Sequence, residues 1–73
     1  MEIGDKVKVI RLDEYTLDVI RANDAPSPIG MIGTIIEKYY NNNMHREEVV
    51  VEEDGSGNKW VWEPWNLAVI VRH

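Results

Sequence analysis

Lys59-Trp60-Val61-Trp62-Glu63-Pro64-Trp65-Asn66-Leu67-Ala68-Val69-Ile70-Val71-Arg72-His73 is the stretch on which the fold turns. Lys59 to Glu63 is rich in the aromatic and β-branched residues that fit a pleated surface, so it reads as a strand. Pro64 cannot donate to a ladder and ends that strand. Pro64-Trp65-Asn66 then makes a single turn, and Leu67 to Val71 reads as a second strand. All three tryptophans of the chain lie in these fifteen residues.

Working outward, Asp54-Gly55-Ser56-Gly57-Asn58 is the clearest local signal, a tight hairpin turn. Before it, Arg46 to Glu53 carries the unbroken run Val49-Val50-Val51, which suggests a central strand. Asn41-Asn42-Asn43 reads as a turn because Asn tolerates positive φ. Ile29 to Tyr40 is a further strand, with Gly30 and Gly33 near its start, where the chain bends sharply or approaches another backbone. Lys6 to Leu12 begins with polar–apolar alternation after Gly4-Asp5, so Val7 and Val9 are expected to face inward. Residues 13 to 30 fit neither a helical nor a strand period. With Pro26 and Pro28 among turn formers they read as one long loop, with at most a helical turn near Tyr15 to Ile20. A loop of that length in a small domain is usually functional, so specificity is expected there.

The bulk numbers narrow the classes. Seventy-three residues make one domain, 1–73, and a chain of this size buries only about 60% of the surface it exposes on unfolding. There is no cysteine, which excludes thiol catalysis, disulfides and cysteine-ligated metals. The acidic N-terminus runs straight into a strand pattern and has no signal-peptide character. No apolar run approaches the ~20 residues of a membrane span. A complete cytoplasmic protein beginning at its own methionine is the expectation. Eight basic against thirteen acidic side chains give a net charge of −5, which argues against nucleic acid as the main ligand because phosphate contacts dominate that affinity.

Five strands, a long first loop, two hairpins and a single helical turn before the last strand resemble an SH3-like barrel, so the expected fold class is an all-β, five-stranded SH3-like barrel. Gly4-Asp5-Lys6-Val7-Lys8-Val9 resembles the opening of KOW-type modules. It also resembles the start of a barrel-fold accessory protein of photosystem I and that of the ferredoxin–thioredoxin reductase variable chain. Ile29-Gly30-Met31-Ile32-Gly33-Thr34-Ile35 is similar to the second strand of those groups and of mind-bomb/HERC-type domains. Glu63-Pro64-Trp65-Asn66-Leu67-Ala68-Val69-Ile70 is similar to the ending of peptide-binding SH3 domains. Two departures stand out: Leu67 replaces the groove tyrosine of that family, and no alanine-leucine-tyrosine-aspartate-tyrosine stretch precedes the first loop. These are motifs of backbone geometry, and fold alone does not name a function.

Among candidate site residues, Trp60 and Trp62 share one face of their strand. Either one or both fill or cap the small core, or at least one joins Trp65 as an exposed platform for a partner, since Trp and Tyr favour binding hot spots. Tyr39 and Tyr40 face opposite sides, so one of them is exposed, and Tyr15 in the long loop reaches the same surface. The acidic groups Glu47-Glu48 and Glu52-Glu53-Asp54 read as a solvated edge that discourages strand pairing. His45 and His73 give no metal-ligand spacing, and no serine sits beside a base. The expectation is therefore a non-catalytic protein-interaction module without metal or cofactor, its partner-binding residues Trp60, Trp62, Trp65, Tyr15, Tyr39 and Tyr40. The alternatives are a KOW-like nucleic-acid module using Lys6, Lys8 and Arg11, and a small accessory subunit of a larger assembly such as a redox complex or a phage particle.

Overall fold

The computed structural model describes every residue, Met1–His73. The elements follow in the order β1 (Lys6–Val9), α1 (Glu14–Asn23), β2 (Ile32–Asn41), β3 (Arg46–Glu53), β4 (Lys59–Trp62), a 3₁₀ turn (Pro64–Asn66) and β5 (Leu67–Val71). The strands form one antiparallel sheet in the order β4-β3-β2-β1-β5. The valine-rich β3 is interior to the sheet, as its sequence suggests. Hydrogen bonding leaves the sheet open where a closed barrel is expected: no ladder joins β4 to β5.

Alternation explains the core. Val7 and Val9 of β1, Ile35 of β2, and Val49 and Val51 of β3 are fully buried, and Leu12 and Leu67 complete the cluster. Each such side chain contributes about 2 kcal/mol of burial. The sheet curls over this small core by two devices. Gly33 allows close approach of β2 to β3, since a Cβ there would run into the Glu52 carbonyl and Val51. A register shift between Ile35 and Glu37 leaves Ile36 as the extra residue of a bulge, which bends and twists the strand.

Residues 13 to 30 correct the sequence reading: a ten-residue helix replaces most of the expected loop. Asp13 caps its N-terminus, its side chain accepting from the Thr16 N–H at 2.7 Å. At the other end Asp24 takes the left-handed conformation (φ 51°, ψ 40°). There the Asp24 N–H donates to the Arg21 carbonyl and the Ala25 N–H to the Ile20 carbonyl, the paired bonds of a Schellman motif. The helix rests on the core through Leu17 and Ile20, but none of its residues is buried. Its amphipathic stripe is narrow, and hydrogen bonds cap both of its ends.

The two chain ends meet at Asp5, which is buried. Its carboxylate accepts from the Glu2 N–H at 2.9 Å and the His73 N–H at 2.8 Å. These bonds, His73 first and then Glu2, hold the Asp5 pKa below the ordinary carboxylate value.

Candidate functional site

The β3–β4 hairpin places the two strand tryptophans. Its turn uses Gly55 and Gly57 at positive φ, and the register sets Trp60 opposite Val51 and Trp62 opposite Val49. Both indoles therefore stand on the core side of the sheet, at its margin, stacked with ring centroids 6.5 Å apart. Their fates differ. Trp62 packs against the core and is half-buried, whereas Trp60 remains 42% exposed. Trp62 extends the core, and Trp60 is exposed but does not join Trp65 in one platform.

A wall faces these indoles. The helix and the segment after it bring Thr16, Ile20, Ala25, Pro26 and Pro28 across from Trp60, Val61 and Trp62, enclosing a groove of about 520 Å³. Beyond Trp60 the groove continues into a hollow of about 330 Å³ bounded by Pro26, Ser27, Pro28, Met31 and Glu53. Beyond Trp62 a smaller polar hollow of about 120 Å³ lies among Asp13, Thr16, Arg46, Glu48 and Glu63. The three share lining residues and form one trough along β4 from Trp60 to Trp62. Its middle is apolar, and both ends carry carboxylates.

The electrostatics of the ends differ. At the Trp62 end, Arg46 bridges Glu48 at 3.1 Å and Glu63 at 3.5 Å. Glu48 also accepts from Asn41 Nδ2 at 2.9 Å. Asn41 first, with Tyr39 and Arg46, holds the Glu48 carboxyl below its ordinary range against the opposing cost of burial. The same contact acts in reverse on Tyr39, whose phenol is raised by its bond to Glu48. At the Trp60 end, Glu53 accepts from the Ser56 hydroxyl at 2.7 Å and has no cationic partner. One polar atom is also unpartnered: Trp62 Nε1 is buried with no acceptor, an unusual state for an indole N–H.

The other expected site residues do not line this trough, although Tyr39 bonds Glu48 at its Trp62 end. Trp65, exposed as the turn predicts, lies under the Arg11 guanidinium, 5.6 Å from the ring centroid. Tyr15 projects from the outer face of α1, 79% exposed. Tyr39 and Tyr40 line a shallow hollow with Lys38 and Glu47 at the far end of the β2–β3 hairpin. Both are exposed, not one, because this end of β2 lies past the bulge and beyond the core. The aromatics thus form four separate patches. Sequence reasoning missed Thr16, Ile20 and Val61 as lining residues. The signal for the first two was the Asp13 cap followed by Leu17 and Ile20 three residues apart.

No cluster of three potential metal-ligating side chains occurs, and no helix is long and apolar enough to cross a membrane. No family model, curated protein or solved structure matches the chain.

Proposed function

We propose that the chain is a non-catalytic protein-interaction module that binds its partner in the trough beside β4. The observation that carries this reading is the exposed Trp60 indole in an apolar groove, walled by two prolines and continuous with the half-buried Trp62. Large aromatic surface at low entropic cost is the usual anchor of a binding surface. Pro26 and Pro28 have pre-set φ and give a wall that loses little freedom when a partner docks. The strand order β4-β3-β2-β1-β5, with β5 returning beside β1 and a 3₁₀ turn before it, supports an SH3-like barrel as the scaffold. The groove lacks the tyrosine that peptide-binding SH3 domains would place at Leu67, so its binding chemistry is its own.

The charge of −5 and the carboxylates at both ends of the trough speak against the KOW-like alternative, because a nucleic-acid backbone would meet like charge. Selection of a displayed random-peptide library on the folded chain tests the reading. Enriched peptides should bind the wild type and lose at least tenfold on Trp60→Ala. An absence of enrichment, or binding indifferent to Trp60, would overturn it.

A further inference from the structure

The phase of the β3–β4 ladder has a consequence for what the trough can hold. Glu53 N–H donates to the Asn58 carbonyl at 2.8 Å, which makes that pair a hydrogen-bonded one. Pairing alternates along an antiparallel ladder. Val51–Trp60 and Val49–Trp62 are therefore also hydrogen-bonded pairs, and Val50–Val61 is not. The N–H and C=O of Val61 point away from β3, and β4 is the last strand on its side of the sheet. Neither group has a partner elsewhere in the chain. They face the trough, whose opposite wall offers the Val61 carbonyl no N–H at Pro26 or Pro28.

Deepening the reading above and resting on it, we infer that the trough takes an extended peptide segment that adds to β4 as a further strand, with apolar side chains at alternate positions and a basic residue at each end. Strand addition satisfies the free backbone of Val61, while alternate side chains fall on the Trp60 and Trp62 indoles. β4 spans four residues, about 13 Å, so a segment of about six residues reaches both hollows. The basic ends follow from charge. Glu53 has no cationic partner, and the Trp62 end sets Asp13, Glu48 and Glu63 against Arg46 alone. A second copy of this chain is the competing occupant, but it would bring a further −5 of charge to an acidic trough.

The test uses the full chain and a fluorescein-labelled peptide of alternating valine and threonine with a lysine at each end. Val61→Pro removes the outward N–H without touching a ladder bond, whereas Val61→Thr keeps it. Binding should fall at least tenfold for Val61→Pro and persist for Val61→Thr, with circular dichroism unchanged in both. Replacing the peptide lysines by glutamate should also weaken binding tenfold or more at low salt. Should Val61→Pro fail to fold, the wild type is titrated instead with peptides N-methylated at alternate amides. One methylation phase should abolish binding and the other should spare it. Equal binding by both phases, or by Val61→Pro and wild type, overturns strand addition while Trp60-dependent binding leaves the interaction reading standing. A preference for glutamate ends overturns the charge argument. No binding by any of these peptides overturns the inference, and the displayed library then decides the broader reading separately. Sedimentation without peptide shows a monomer under this proposal, and a dimer lost in Val61→Pro would give the trough to a second copy instead.

Discussion

The two margins of the sheet are chemically alike in backbone and unlike in surroundings. At β5, the Ile10 N–H bonds the Asn66 carbonyl at 2.8 Å, and the same alternation turns the backbone of Val69 outward, as at Val61 on β4. No cavity borders β5. The β5 margin is instead tied down, by Asn66 between Glu63 and the Arg11 carbonyl and by the bond from His73 to Asp5. The β4 margin has a wall opposite it, two indoles at its floor and carboxylates at its ends. Unpaired strand edges are common, and proteins usually blunt them. What distinguishes a recognition edge is the second surface that limits what can approach it.

The largest effect that probes this contrast is common to both margins. Ile35→Ala should cost about 3 kcal/mol, out of a stability on the order of 4–11 kcal/mol for a chain of this size. Urea unfolding should shift its midpoint, and amide exchange should rise at β4 and β5 together. Unequal loss would show that the two margins open separately. A sharper probe compares neighbouring prolines within β4. Trp60→Pro removes a ladder bond and should cost about 3 kcal/mol, whereas Val61→Pro should cost less than about 1 kcal/mol. The reverse order in thermal unfolding would refute the assigned ladder phase.

Smaller effects separate wall from sheet. Asp13→Ala removes the cap of α1 and should cost about 1 kcal/mol. Its exchange signature should be confined to α1 and the 25–28 segment, leaving β5 protected. Equal deprotection of β5 would mean that the helix is not an independent wall. Acid provides the mildest probe. Asp5, by its bonds to His73 and Glu2, Asp13, by those to Thr16, and Glu48, by that to Asn41, have pKa values held below their ordinary values of 3.8, 3.8 and 4.5. Each contribution is present above the ordinary value and is lost as pH falls through the lowered one. Stability should thus hold at neutral pH and decline under acid conditions. Asp5→Asn should flatten that decline and speed exchange of the His73 amide, without altering peptide binding at β4.

Much of this molecule was legible in its residues. The bounds of β3 and β5 coincide with the sequence reading because Asp54-Gly55 ends the first β-branched run and Pro64-Trp65-Asn66 precedes the second. Val7 and Val9 face inward as alternation requires. The helix was not legible as a period, since only Leu17 and Ile20 reach the core while Tyr15 and Val19 remain exposed. Of its caps, Asp13 was a readable signal, whereas the left-handed Asp24 rests on backbone bonds that the residue types do not announce. Residues of the 13–30 segment and the pair Trp60 and Trp62, both singled out in the sequence, lie on the two sides of the trough. Their meeting across the free edge of β4 is a tertiary fact. So is the separation of Trp65, whose contact with Arg11 spans distant parts of the chain.

The indole N–H resonances of Trp60, Trp62 and Trp65 report directly on the central claim, because each tryptophan occupies a different environment. Titration of the lysine-flanked peptide into ¹⁵N-labelled protein should move the Trp60 and Trp62 signals and leave Trp65 in place. Movement of Trp65 alone, or of Tyr39 and Tyr40 backbone amides with Trp60 and Trp62 unmoved, would contradict it.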